Sequence, residues 1–234
     1  DGSVVLRADV PAGGTDAVRD AVGDRWPVVE VAVDSGLDGW RDHAVATRVG
    51  RVVVRPPWVE AAIADDEIEV VIDPGHAFGH GAHPTTVGCL EALAAAIDAG
   101  ARTVLDVGSG SGVLAVAAAR SGAIDVRAVD VDRAAVEATG ANASANGVED
   151  RVTVEVVAPS GWDEPRRSDV VVANVGAPAL RTLAATLVAA VAPGGTLVVS
   201  GLLDPPPDDV VAALHPLAVV ADRRRDGWTV LTLR

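Results

Sequence analysis

A glycine-rich segment, followed by an acidic residue at the end of the next apolar run, is the strongest chemical signal in the chain. Gly108, Gly110 and Gly112 alternate with serines directly after the apolar run 103–107. Glycines let a backbone turn tightly and let a ligand approach atoms that a Cβ would cover. Asp130 ends the next apolar run, where a carboxylate can accept hydrogen bonds from both hydroxyls of a ribose. Together these residues predict a site for a nucleoside-containing cofactor.

The spacing of the glycines favours S-adenosylmethionine over a dinucleotide. Dinucleotide-binding loops follow G-x-G-x-x-G, in which the third glycine allows close packing of helix and strand. Here the spacing is G-x-G-x-G, and Val113 stands where the dinucleotide motif has its last glycine. Asp106 precedes the loop, and a carboxylate at that position suits a cofactor without a pyrophosphate. A dehydrogenase and a glycine turn that binds no ligand are the alternatives.

The composition restricts the chemistry further. The chain has 234 residues and one cysteine, and the printed sequence contains no Lys, Tyr, Gln or Met. A P-loop lysine, Schiff-base chemistry, a tyrosine acid and an internal disulfide are therefore excluded. The formal net charge of −14 argues against direct binding of nucleic acid and suits a basic protein or a cationic small molecule.

The pattern of apolar residues predicts an α/β fold. From about residue 85, helical patterns alternate with short runs of Val and Leu, which is typical of a parallel sheet covered on both faces. The first 36 residues have a strand–helix–strand pattern. Pro56-Pro57 interrupts the run RVVVRPPW, so we expect a small α+β module with its connector at 1–57 and the main domain at 58–234.

Neither a membrane span nor a leader peptide is expected. No apolar stretch has the length of a membrane span, and the first residues lack the basic start and apolar run of a signal peptide. These features predict a cytoplasmic protein without membrane contact.

Three histidines lie close together in the sequence and could form an alternative site. His76, His80 and His83 have spacings that would share one face of a helix, as a zinc site needs. Glycines and Pro84 interrupt this segment, so we expect a loop and no metal. Cys89 is expected in the core, Arg223-Arg224-Arg225 at a solvated edge, and Trp162 either in packing or beside an adenine.

A longer stretch resembles a known family. Residues 73–90, DPGHAFGHGAHPTTVGCL, are similar to the D-P-G-x-A-F-G-T-G-x-H-P-T-T segment of PrmA-type methyltransferases, which modify amino groups of large-subunit ribosomal protein eleven. The resemblance covers roughly residues 37–234. Two family threonines are lost in 79–82, and the amino-terminal module is shorter than the family's ferredoxin-like substrate domain. Lysine methyltransferases of the electron-transfer flavoprotein share several of these motifs.

The resemblance implies the roles of individual residues. The family's cofactor contacts fall on Thr86, Gly108, Asp130 and Asn174. Thr86 begins a helix, where hydroxyl and amide donors can bind the cofactor's carboxylate. Asn174 ends a strand, where its side-chain oxygen can accept a hydrogen bond from an incoming amine. The expected cofactor residues are therefore Thr86, Asp106, Gly108, Gly110, Gly112, Asp130 and Asn174, with Asn174 also catalytic.

The expected fold is a class I methyltransferase domain, with a Rossmann-like seven-stranded sheet and helices on both faces. The expected activity is S-adenosylmethionine-dependent methylation of a lysine or α-amine on a basic protein, which the resemblance identifies as ribosomal. Methylation of a small-molecule amine by a PrmA-like catalytic domain is the main alternative. A nucleotide-binding module without catalysis is a further one, and Asn174 argues against it.

The glycine loop generates a direct binding prediction. S-adenosylmethionine and S-adenosylhomocysteine should bind in the micromolar range, whereas NAD should not bind, because the loop lacks the third glycine of a dinucleotide site. Isothermal titration calorimetry of the purified chain with each compound measures this. Binding of NAD without binding of S-adenosylhomocysteine would contradict the assignment.

Overall fold

The computed structural model describes residues 44–74, 81–160 and 166–234, which belong to one compact unit, Ala44–Arg234. The strand–helix–strand pattern expected over the first 36 residues lies outside the described ranges. None of the helices within those ranges combines the length and apolarity that a membrane span requires.

A small sheet begins the described part of the chain. It consists of β1 (Thr47–Val49), β2 (Val52–Arg55) and β3 (Ile68–Val71). β2 lies between the others, antiparallel to β1 and parallel to β3. The expected strand in the run RVVVRPPW is β2. The division of the chain between residues 57 and 58 stays a prediction, with β2 before it and β3 after it.

The main sheet has seven strands in the order β6-β5-β4-β7-β8-β10-β9. Starting from β4, the chain adds β5 and β6 on one side and then returns to place β7 on the other side, so β4 and β7 flank a topological switch point. The strands are β4 (Thr103–Val107), β5 (Asp125–Asp130), β6 (Val152–Val156), β7 (Ser168–Asn174), β8 (Val191–Leu203), β9 (Val219–Arg225) and β10 (Trp228–Leu233).

Five helices of the described residues follow the strands: α1 (Pro84–Asp98), α2 (Val113–Arg120), α3 (Arg133–Ala145), α4 (Ala177–Ala190) and α5 (Asp208–Ala213). Because side chains alternate along a strand, each strand contributes to two cores. In β7, Val170 and Val172 join the core that includes residues of α1, α2 and α3, whereas Val171 and Ala173 join the core that includes residues of α4 and α5. The seven-stranded sheet with helices on both faces is confirmed.

The expectation of a parallel sheet is wrong at one side. β10 runs antiparallel to both β8 and β9, so the sheet is mixed. β9 was not expected as a strand because nearly all of its residues are exposed and the apolar alternation of a half-buried strand is missing. The tight connection at Asp226-Gly227 has two residues with positive φ and returns the chain as a hairpin. Arg223-Arg224-Arg225 lies in this exposed edge strand, which confirms the expected solvated edge.

Candidate active site

The glycine loop connects β4 to α2 and closes over the end of β5. The backbone N–H groups of Gly108 and Ser109 both donate to the carbonyl of Val129, at 2.8 and 3.1 Å. Gly108 has φ 76°, and a Cβ at this position would overlap the side chain of Val175, which follows β7. Gly112 caps α2 with φ 80°. Glycine is therefore required for the loop to pack this closely against the end of β7.

Asp130 is the last residue of β5 and holds the middle of the loop. Its Oδ2 accepts a hydrogen bond from the Gly110 N–H at 3.0 Å, and its Oδ1 accepts one from the Asp132 N–H at 3.0 Å. A carboxylate has about four acceptor sites, so both oxygens can still accept hydroxyl donors. The carboxylate is part-exposed beside the loop, where the sequence analysis expects a ribose.

Two exposed valines next to Asp130 were missed by the sequence analysis. Val131 directly follows Asp130 and is 56% exposed. Val156 pairs with Asp130 at the end of β6 and is 46% exposed. Large apolar side chains exposed at the carboxyl edge of a sheet suit packing against a flat ring. A sequence signal existed for Val131, since it directly follows Asp130 at the end of an apolar run. Trp162, considered for the same role, lies outside the described residues.

Thr86 and Asn174 meet at the other side of the loop. Asn174 is the last residue of β7, and its Nδ2 donates to Oγ1 of Thr86 at 3.4 Å. Thr86 lies in the first turn of α1 and is 1% exposed. Because the amide NH₂ is directed to Thr86, the amide oxygen of Asn174 is left without a hydrogen-bond partner among the described residues. Two residues that the family resemblance identifies, 88 positions apart in the sequence, are thus in contact.

The start of α1 is fixed by His83. Its side chain caps the helix by accepting a hydrogen bond from the Thr85 N–H at 3.4 Å, and its Nδ1 lies 2.8 Å from the Thr85 hydroxyl oxygen. The imidazole also packs edge-on against the ring of Trp228, with 5.0 Å between centroids. His83 therefore orders the first turn of the helix that carries Thr86.

The expected absence of a metal stays a prediction. His76 and His80 lie outside the described residues. Within the described ranges, no group of three or more His, Cys, Asp or Glu side chains could hold a metal ion.

Asp106 lies in the interior behind the loop, 1% exposed. Its Oδ2 accepts a hydrogen bond from the Ala115 N–H in α2 at 3.1 Å, whereas its Oδ1 has no hydrogen-bond partner among the described residues. Burial raises the pKa of this carboxyl to about 7, and the charge of Asp130 acts in the same direction, while the bond from Ala115 opposes both. Cys89 of α1 is fully buried, which confirms its place in the core, and burial raises the pKa of its thiol far above the usual range.

The pKa of Asp106 predicts how stability depends on pH. Between about pH 4 and pH 7 the folded protein retains a proton that the unfolded chain has released, so this residue's stabilising contribution is present below pH 4 and is lost as the pH rises to 7. We expect Asp106→Asn to gain stability relative to the wild type over this interval, by a few kcal/mol at about 1.4 kcal/mol per pKa unit, with no further change above it. Urea unfolding of both proteins at a series of pH values measures the difference. A difference that does not vary with pH would mean that Asp106 keeps its ordinary pKa.

The chain is similar in sequence to known proteins over most of its length. The family model of ribosomal protein L11 methyltransferase (PrmA) matches residues 30–234. A protein from Citrifermentans bemidjiense, named ribosomal protein L11 methyltransferase, is 42% identical over 219 residues, which cover 89% of this chain and 70% of the relative. A protein of the same name from Geobacter sulfurreducens is 44% identical over 199 residues, which cover 84% of this chain and 64% of the relative.

Solved structures show the same fold. A ribosomal protein L11 methylase from Lactobacillus delbrueckii subsp. bulgaricus superposes with a TM-score of 0.72 and 26% identity, covering 81% of this chain and 97% of that one. An O-methyltransferase family protein from Burkholderia thailandensis, at 18% identity and a TM-score of 0.55, covers 63% of this chain and 55% of that one, and shows the fold alone. The class I methyltransferase fold and a methyltransferase activity are thereby confirmed. Since the family model matches most of its length, the chain belongs to the PrmA family of ribosomal protein L11 methyltransferases.

Proposed function

We propose that this chain transfers the methyl group of S-adenosylmethionine to amino nitrogens of a protein, and that its substrate is a ribosomal protein of the L11 kind. The observation that carries the proposal is the contact between Thr86 and Asn174, which leaves an amide oxygen available at the end of β7, on the side of β4 opposite Asp130. The names of the relatives support the choice of substrate.

The residues of the site fit S-adenosylmethionine. Asp130 has acceptor capacity for the ribose hydroxyls, and the loop from Gly108 to Gly112 allows close approach of a ligand to the backbone. The Oδ1 of Asp106 is a buried acceptor without a hydrogen-bond partner among the described residues. A cationic ammonium group beside it would favour the ionised form of this carboxyl. The first turn of α1 supplies amide donors for a carboxylate. When bound, the cofactor supplies a methyl group on a sulfonium that leaves as a neutral thioether.

The protein's part in such a transfer is positioning. An acceptor amine must first lose a proton, because an ammonium ion has no lone pair, and a free lysine titrates near pH 10.4. The Asn174 oxygen is neutral, so it can accept a hydrogen bond from an amine without the added electrostatic preference for ammonium that a carboxylate has. Held by Thr86, this oxygen would fix the direction of the nitrogen lone pair, and orientation of this kind speeds an in-line transfer.

The net charge suits the proposed substrate. At −14 the chain attracts basic proteins over distances longer than a contact, which raises their rate of encounter. The alternative of a small-molecule amine has less support, because the relatives are named for methylation of a ribosomal protein. The division of the chain into 1–57 and 58–234 and the cytoplasmic location stay predictions.

A labelling experiment tests the proposed substrate. The full chain is incubated with radiolabelled S-adenosylmethionine and purified unmethylated ribosomal protein L11, and in a parallel reaction with a protein-free fraction of a cell extract. We expect label in the ribosomal protein, with methyl groups located by mass spectrometry on lysine side chains or the α-amine. Label confined to the protein-free fraction would replace this proposal by the small-molecule alternative.

Asn174 provides the test that separates catalysis from cofactor binding. If its oxygen orients the nucleophile, Asn174→Ala should lower turnover by about a hundredfold or more, of order 3 kcal/mol in the barrier. Affinity for S-adenosylhomocysteine should fall much less, because the contacts of Asp130 and the glycine loop are unchanged. Asn174→Asp should retain more activity than the alanine variant, since a carboxylate also accepts a hydrogen bond from an amine.

The measurements are kcat with the protein substrate and the dissociation constant of S-adenosylhomocysteine. Thr182→Ala is a suitable control, since this exposed hydroxyl in α4 bonds the Pro178 carbonyl in its own helix. Equal losses of binding and turnover in Asn174→Ala would reduce the residue to a cofactor contact. Full activity of that variant would mean that another group positions the acceptor.

A further inference from the structure

One face of α3 and its carboxyl-terminal cap carries three polar residues that point into the protein. Thr139, Asn142 and Asn146 follow one another at spacings that place them on the same side of a helix. Thr139 is fully buried and Asn142 is 4% exposed. Polar side chains buried this deeply must find hydrogen-bond partners, and those partners lie in two segments far apart in the sequence.

The first segment is the glycine loop. The Thr139 hydroxyl donates to the carbonyl of Gly110 at 3.1 Å and lies 3.0 Å from the Ser109 hydroxyl oxygen. Asn142 Nδ2 donates to the carbonyl of Ser111 at 2.8 Å. Three successive loop residues are therefore bonded to α3, and the conformation of the loop depends on this helix.

The second segment is the end of β3 and the residue pair that follows it. Asn146 accepts from the Val71 N–H at 2.8 Å and donates to the Val71 carbonyl at 2.7 Å. Asn142 does the same with Asp73, accepting from its N–H at 3.0 Å and donating to its carbonyl at 2.8 Å. The two amides thus take the place of a neighbouring strand, since they pair with alternate residues along one edge. Asp73 begins the stretch that leads to α1 and Thr86.

Asn142 alone of the three residues bonds both segments. Both N–H groups of its amide are used, one for Ser111 and one for Asp73, and its oxygen accepts from Asp73. A leucine at this position would remove all three of these bonds to backbone groups of Ser111 and Asp73. An aspartate would place a second acceptor oxygen against two carbonyl oxygens, although it would keep the bond from the Asp73 N–H.

We propose that Asn142 is a positioning residue for cofactor binding, which joins the glycine loop to the segment leading to Thr86 and keeps the loop in its binding conformation before the cofactor arrives. Asn142 acts through the loop and through Asp73, without contact to the reacting atoms. The inference rests on the proposed function, because it takes the glycine loop as the site of S-adenosylmethionine.

The test compares Asn142→Leu and Asn142→Asp with the control Asn146→Leu. The control loses a similar pair of bonds to the β3 segment but no bond to the loop. We expect both Asn142 variants to bind S-adenosylhomocysteine about tenfold more weakly or worse, with a parallel rise in KM for S-adenosylmethionine, because binding must then order the loop. Their kcat at saturating cofactor should change less than about threefold, since a bound cofactor restores the loop. The control should shift the dissociation constant by less than about threefold, although its Tm falls.

Two measurements keep the inference falsifiable. Thermal unfolding of each variant shows which of them fold, and Asn142→Asp carries the test if the leucine variant does not. In the wild type, S-adenosylhomocysteine should slow hydrogen exchange of the Asp73 amide more than that of the Val71 amide, because only the former bonds to Asn142.

Equal losses of affinity in the Asn142 and Asn146 variants would overturn the inference, as would unchanged affinity in a folded Asn142→Asp or equal protection of the two amides. Failure of the wild type to bind S-adenosylhomocysteine would instead overturn the proposed function. The two failures are therefore distinguishable.

Discussion

The parallel pairing of β4 with β5 on one side and β7 on the other determines where the polar residues of the site lie. In register, Val107 stands beside Val129 and Ala173, so the residues that follow these three positions emerge together at one edge. Those residues are Gly108, Asp130 and Asn174. Over the paired residues 104–107, 126–129 and 170–173, every side chain except Asp106 and Arg127 is apolar, and a glycine or a polar residue follows each of the three runs. The pairing register of these three strands therefore places the residues of the site together at one edge of the sheet.

Asp106 departs from that apolar pattern. A carboxyl group in the interior with one oxygen unbonded is less favourable for folding than an apolar side chain of similar size. The structure retains it directly before the glycine loop, with its Oδ2 accepting a hydrogen bond from an N–H in the first turn of α2. Such a local conflict with folding is expected where a protein binds a ligand, because the site and the core place different demands on the same residue.

The elements that could be predicted from the sequence are the buried ones. The buried parallel strands and their helices were predicted because runs of Val and Leu identify them. β9 was missed because its exposed residues carry no such pattern, and the reversed direction of β10 depends on the hairpin that β9 forms. Thr86 and Asn174 were named from the family resemblance, but their contact joins positions 88 residues apart and required the fold. The bonds of Asn142 to Ser111 and Asp73 were not predictable either, since an asparagine in a polar helix has no distinguishing local signal.

The charged edge of the main sheet has a consequence for the state of the protein in solution. Arg224 pairs with Asp204 and Asp222, and Arg225 pairs with Glu91 of α1, so two of the arginines in β9 are held by acids from three different parts of the chain. A second chain adding a strand to β9 would have to displace or desolvate these charges, which is the means by which many natural sheets avoid edge-to-edge aggregation. Among the described residues this edge also exposes Val219 and Val220, and the paired charges make it less suited to pairing with another strand.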